Sequence, residues 1–326
     1  MTSTASFDVL GIGNAIVDVL AQAHDSFLVA QGLDKGGMAL IDAARAEELY
    51  QAMGAGVEVS GGSCGNTMVG VSSLGGKAAY IGKVRDDGLG WTFRHDIRAA
   101  GVAFDTPAST EGPPTARCLI LVTPDAQRTM NTYLGACVTL GPDDIDPALV
   151  ASAKVTYVEG YLWDPPLAKD AVRKAFKAAH GAGRLTSLTL SDSFCVGRWR
   201  DEFRALLRSE IDILFANESE LLSLYEAKTF DEALQAVRAE GKIAALTRSD
   251  KGCVIVRGDE VHVVDAAKVG RVVDTTGAGD LFAAGFLYGH TRGLPRAECG
   301  RIGGIAAAEV ISHVGARPLV PLKSLI

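Results

Sequence analysis

Several features are scarce in this 326-residue chain. Its six cysteines, Cys64, Cys118, Cys137, Cys195, Cys253 and Cys299, include no C-x-x-C pair. That leaves no zinc spacing and no redox motif, and it argues against a disulfide framework in a chain of this length. No apolar run approaches the ~18 residues of a membrane span. Residues 1–8 carry no basic stretch followed by an apolar one, the mark of a secretory signal. Positive charge is in deficit, with 32 Lys and Arg against 39 Asp and Glu for a net charge of −7, so no broad basic surface recruits nucleic acid. No repeat and no low-complexity segment occurs, and the P-loop pattern G-x-x-x-x-G-K-[ST] is absent. The expectation is a cytoplasmic protein, monomer or homodimer, with neither membrane nor nucleic acid as partner.

What is present is an ordinary globular composition, 48% hydrophobic and 22% charged, with an excess of 37 glycines. Such an excess implies many tight turns and close backbone approaches. The length suggests two domains, or one large domain carrying an addition. Strand and helix patterns alternate over most of the chain, which predicts a doubly wound α/β fold with a mostly parallel sheet and helices on both faces. Two strand-rich patches, 15–42 and 103–134, interrupt the alternation and are expected to form a small discontinuous β-sheet lid. Segments 1–14, 43–102 and 135–326 then make the large α/β domain. A strand at 57–59, a helix at 67–74, a helix at 202–209 and a strand running into the turn at 274–279 belong to that domain in this reading. Ligands of open α/β sheets bind at the carboxyl ends of the strands, beneath such a lid.

Four segments carry chemistry. In Asp274-Thr275-Thr276-Gly277-Ala278-Gly279-Asp280 a helix starts inside a small-residue turn. Free N–H groups of Gly277, Ala278, Gly279 and Asp280 at a helix N-terminus would form an anion hole, and Asp280 could take a proton from a hydroxyl beside it. Gly61-Gly62-Ser63-Cys64-Gly65-Asn66 lets backbone approach a ligand, and Asn66 offers a donor and an acceptor to a polyol. The same letters match the hydrolase pattern G-x-S-x-G with Ser63 as nucleophile, for which His262, His290 and His313 are the downstream histidines. Gly11-Ile12-Gly13-Asn14-Ala15-Ile16 is a weak dinucleotide fingerprint, since Ile16 stands where the third glycine belongs; Asn14 and Asp18 suit vicinal hydroxyls better. Finally, Asn217-Glu218-Ser219-Glu220 and Thr247-Arg248-Ser249-Asp250-Lys251-Gly252 end two strands on the same rim. Asn217 and Glu220 suit a hydrated magnesium ion or a helix capping box.

Taken together these segments resemble the ribokinase (PfkB) family of carbohydrate and nucleoside kinases over nearly the whole chain. The resemblance implies a ribokinase-like fold, ATP with Mg2+, and transfer of the γ-phosphoryl group to a primary hydroxyl. By it Asp280 is the catalytic base and Gly277, Ala278 and Gly279 form the anion hole. Asn217 and Glu220 organise magnesium through water, and Thr247, Ser249 and Gly252 line the ATP site together with Gly277 and Gly279. A monovalent cation such as K+ would be held by Asp274 and the carbonyl of Thr276. Asn14, Asp18 and Arg128 look more like the adenosine kinases of the family than its ribokinases. On that likeness Asp18, Gly61, Gly62 and Asn66 hold ribose hydroxyls, Arg128 closes the lid over the reacting phosphate, and Met38, Leu134 and Tyr161 offer an apolar slot for the base. The implied reaction converts adenosine to AMP, a step of purine salvage. A sugar kinase is the alternative, and a non-catalytic nucleoside or sugar sensor a remote one.

Overall fold

The computed structural model describes residues 5–125 and 127–326. The chain opens with strand β1 (Phe7–Ile12), then leaves through β2 (Ile16–Gln22), helix α1 (Asp25–Ala30), β3 (Met38–Leu40), α2 (Ala43–Ala52) and β4 (Val57–Ser60). It returns with α3 (Ser63–Ser73), β5 (Ala78–Ile81), α4 (Gly88–Ala99) and β6 (Val102–Ala103), and departs again for β7 (Ala116–Val122) and β8 (Arg128–Tyr133). Then α5 (Pro147–Ala151), β9 (Ala153–Glu159), α6 (Pro166–Gly181), β10 (Leu185–Thr189), α7 (Ser193–Ser209), β11 (Ile213–Asn217), α8 (Glu218–Tyr225), α9 (Phe230–Ala239) and β12 (Ile243–Thr247) follow. The hairpin β13 (Cys253–Arg257) and β14 (Glu260–Val264) and the helices α10 (Ala278–Thr291) and α11 (Arg296–Val310) come last.

The larger sheet has the order β14-β13-β12-β11-β10-β9-β1-β5-β6. All pairings from β12 to β6 are parallel, and β13 pairs antiparallel with both β12 and β14. Its strands are apolar on both faces, as a sheet covered twice requires. Leu10, Ile12, Leu214 and Ala216 pack one way, with Trp163, Phe176 and Phe203. Their neighbours Val9, Ile213 and Phe215 pack the other way, with Tyr80, Phe93 and Phe286. Full burial of each of these aromatic rings contributes roughly 2–3 kcal/mol. Because the strands are parallel, Ile12, Glu159, Thr189, Asn217 and Thr247 end on one rim.

The second sheet has five strands in the order β3-β8-β7-β2-β4 and grows from that rim. The strand expected at 57–59 belongs to it: β4 pairs antiparallel with β2, Val17 opposite Ser60. Periodicity identifies a strand but not its partner, which is why 43–102 reads as one piece in the sequence. Helix α7 begins at Ser193, nine residues before the expected 202, and carries a kink at Trp199 (φ −123°, ψ 20°). Among the described residues no helix is long and apolar enough to cross a membrane.

Candidate active site

Asp280 is the third residue of α10, whose cap is Gly277 at φ 79°, a left-handed conformation that favours glycine. The residues before it form no strand, contrary to the expectation from sequence. The large sheet ends at β14, and the chain runs beside α11, with Val273 N and Asp274 N donating to Ile311 O at 2.8 and 3.4 Å. Ala278 N donates to Thr275 O at 3.2 Å, which removes it from the expected set of anion donors. The N–H groups of Gly277, Gly279 and Asp280 have no acceptor among the described residues, and the space beside Gly279 is open. Unpaired N–H groups at a helix N-terminus suit an anion such as a phosphate.

The Asp280 carboxylate is anchored from α3. Oδ1 accepts from Ser63 Oγ at 2.6 Å and Oδ2 from Asn66 Nδ2 at 3.0 Å. Burial pushes its pKa up to about 6, while these two bonds and the charge of Arg317 hold it down. At pH 7 the ionised form prevails. Ser63 bonds a carboxylate and no histidine. His262 and His313 are hydrogen bonded to Glu260 and Glu309, and His290 stacks on Phe286. The hydrolase reading fails on that geometry. The dinucleotide reading fails as well, because β1 is followed by a strand of the second sheet and not by a helix.

Next to Asp280 stands a wall of hydrogen-bond acceptors. Gly62 (φ 81°) caps α3, and a Cβ there would stand 2.3 Å from Asn14 O. Gly61 lies against the Asp18 carboxylate. Asn14 Oδ1 and Asn66 Oδ1 are buried without a partner among the described residues. The side chain of Asp18, half-buried, makes no hydrogen bond among those residues either. Burial raises its pKa to about 6, Asp280 adds to the rise, and Arg317 and Arg128 oppose it.

Two residues that sequence reasoning missed hold this wall. Glu159, at the end of β9, accepts from Asn14 N at 2.9 Å, from Asn14 Nδ2 at 2.7 Å and from Cys64 N at 2.9 Å. It thereby turns the Asn14 amide so that its oxygen faces away as a free acceptor. Burial lifts Glu159 to about 7 against these bonds. A lone carboxylate closing the apolar strand Val155-Thr156-Tyr157-Val158-Glu159 was the available signal. Arg317 donates from Nε to Ser60 O at 3.0 Å and from Nη1 to Gly65 O at 3.3 Å, joining β4 to α3. Nothing local in the sequence announces it.

On the other side of Asp280 lies a cavity of about 720 Å3, within the usual range of a small-molecule site. Asn217, Glu220, Thr247, Ser249, Gly252, Gly277, Ala278, Gly279 and Asp280 all line it, as do the small residues Ala266, Ala267, Gly304 and Ala307. Asn217 and Glu220 form a complete capping box: Asn217 Oδ1 accepts from Glu220 N, and both Glu220 oxygens accept from Asn217. Burial raises Glu220 to about 7. With those oxygens engaged, the pair fits a hydrated magnesium ion met through water and leaves no open coordination corner.

Arg128 and Asp274 occupy each other. Arg128 Nη1 donates to Asp274 Oδ2 at 2.5 Å; the same oxygen accepts from Gly315 N at 2.9 Å, and Oδ1 accepts from Thr276 N at 3.0 Å. Neither residue lines the cavity. A monovalent cation on Asp274 does not fit this arrangement. Of the residues expected to hold a base, Met38 stands exposed on β3. Leu134 caps a short 3-10 helix, Gly135–Thr139, after β8, outside the apolar cluster of the small sheet. Tyr161 packs against the core beneath the large sheet.

Comparison with known proteins agrees with this geometry. The model of the pfkB family carbohydrate kinases matches residues 32–323. The crystal structure of adenosine kinase from Sinorhizobium meliloti superimposes with a TM-score of 0.91 at 58% identity, covering 98% of each chain. That of the probable sugar kinase protein from Rhizobium etli CFN 42 gives 0.92 at 54% identity, covering 99% of this chain and 98% of the other. Adenosine kinase of Saccharomyces cerevisiae is 28% identical over 93% of this chain and 94% of its own length. The chain belongs to the pfkB family of carbohydrate kinases and is a phosphotransferase with an alcohol group as acceptor.

Proposed function

We propose that the chain transfers the γ-phosphoryl group of ATP to the 5′-type hydroxyl of a nucleoside, adenosine being the acceptor that suits the site best. The observation that carries the reading is one face of the small sheet. By register, Asp18 and Arg128 share it with Ile16, Leu20, Cys118, Ile120, Val122 and Met130, and the exposed Met38 and Leu40 of β3 extend it. The acceptors Asn14, Asp18 and Asn66 match the hydroxyl donors of a ribose. The apolar surface beside them matches a flat base, which a free sugar lacks. The 58% identity to an adenosine kinase supports the same choice.

In this reading Asp280 takes the proton of the primary hydroxyl as it attacks the γ-phosphorus. The N–H groups of Gly277, Gly279 and Asp280 meet the charge that spreads over the phosphoryl oxygens. Asn217 and Glu220 would hold a hydrated Mg2+ through water, and that ion, when bound, would supply further positive charge to the phosphates. The small sheet, 15–42 and 103–134 with β4 added, acts as the lid of the large domain and excludes water. ADP release measured over adenosine, inosine, ribose, fructose and 2-keto-3-deoxygluconate with Mg-ATP tests the choice. Turnover is expected on adenosine above all. The second reading, a sugar kinase, is favoured by the 54% identity to the Rhizobium etli protein, and strong turnover on a free sugar with none on adenosine would establish it instead.

A further inference from the structure

We infer that the guanidinium of Arg128 is the cation of the phosphate-binding turn, a positioning charge brought there by the small sheet, so that turnover needs no added monovalent cation. The inference rests on phosphoryl transfer, not on adenosine as its acceptor. Asp274 opens the turn that leads to Gly277, and its carboxylate holds three separate pieces of chain: Arg128 on β8, Thr276 N in the turn and Gly315 N after α11. The side chains of Arg128 and Asp274 are 7% and 6% exposed. Arg128 Nε is buried without an acceptor among the described residues, so Asp274 is the partner that fixes the guanidinium. One buried carboxylate balances one positive charge. A second cation on Asp274 would lie beside the guanidinium in a medium that screens it poorly. Because the bond from Thr276 N ends on the same carboxylate, the charge of Arg128 sets the turn whose N–H groups face the phosphate. Arg128 thus acts on the reaction through Asp274.

The test compares the wild type, Arg128→Met and Arg128→Lys in K+ and in tetramethylammonium buffers of equal ionic strength, with the best acceptor of the panel above. The wild type is expected to show the same kcat and the same KM for ATP in both buffers. Arg128→Met is expected to lose about tenfold or more in kcat in tetramethylammonium and to regain much of it in K+. Arg128→Lys, which keeps a charge, is expected to remain independent of K+. Thermal unfolding without any acceptor provides a second readout: K+ is expected to raise the midpoint of Arg128→Met by about 2 °C and to leave the wild type unmoved. Several-fold stimulation of the wild type by K+ would overturn the inference. So would an Arg128→Met protein that unfolds cooperatively but is rescued by K+ in neither readout, since Arg128 would then act on the substrate itself. Failure of every acceptor in the panel leaves the melting comparison intact, which separates this inference from the choice of substrate.

Discussion

In the proposed reaction the Asp280 carboxylate meets two competing demands: it must be ionised to take a proton, and burial against α3 raises its pKa to about 6. The expected acid limb of kcat therefore falls as pH drops through about 6, with a plateau above it. Ser63→Ala removes a bond that favours the charged form, so its limb is expected at higher pH in a pH-rate profile. Asp280→Asn is expected to lower kcat by about 10²-fold or more while acceptor binding, followed by calorimetry, persists. Glu159 works at one remove. Glu159→Gln keeps the size but offers a second N–H where Asn14 N, Asn14 Nδ2 and Cys64 N already donate. Its KM for the acceptor is expected to rise about tenfold with a much smaller change in kcat, and an unchanged KM would remove Glu159 from the acceptor wall. Asp280, Asn66 and the glycines are legible in the sequence because each sits in a turn whose conformation the neighbouring residues dictate. Glu159 and Arg317 are not, because their partners stand 145 and 257 residues away in the chain.

At the level of elements, the site is assembled from helix starts. α3, α8 and α10 each begin at the rim of the large sheet and direct unpaired N–H groups or capping side chains at the cleft. Asn and Gly at a helix start are strong local signals, and they mark the starts of α8 and α10 in the amino-acid order; α3 begins at Ser63, four residues before the expected 67, because the turn Gly61-Gly62 hands directly into the helix. Pairing is not local, so the membership of β4 in the small sheet was hidden, as was the first half of α7, whose kink interrupts its periodicity. The capping box of α8 makes a separate prediction. Asn217→Ala is expected to destabilise the fold by about 1 kcal/mol and, by releasing Glu220 into the cavity, to raise the KM for ATP. Calorimetric unfolding together with ATP-dependent kinetics checks both, and a lowered melting point with an unchanged KM would make the box a purely structural cap.

Seen whole, the molecule concentrates carboxylates that resist ionisation around one cleft: Asp18 and Asp280 near 6, Glu159 and Glu220 near 7. In the unfolded chain these groups titrate at about 4. The folded state therefore binds protons more tightly, and the stability these groups lend is complete below about pH 4 and is lost as pH rises through 6 and 7. His290, held below its ordinary value by burial, acts in the opposite sense, whereas lowered carboxylates such as Asp8 and Asp125 act only at lower pH. The melting point of the free protein is accordingly expected to fall between pH 5.5 and 7.5, by less in Glu159→Gln, while turnover rises over the same interval. The two sheets could be read from alternation and its interruptions, but their joining through Arg128 and Arg317 could not. That joining has a consequence in time. Ser60 waits 257 residues for Arg317, roughly 13–51 s at about 5–20 residues per second of synthesis. Throughout that interval the wall of Asn14, Asp18 and Asn66 exists as sequence without its clasp, so in the proposed reading a growing chain has no finished acceptor site until residue 317 has emerged.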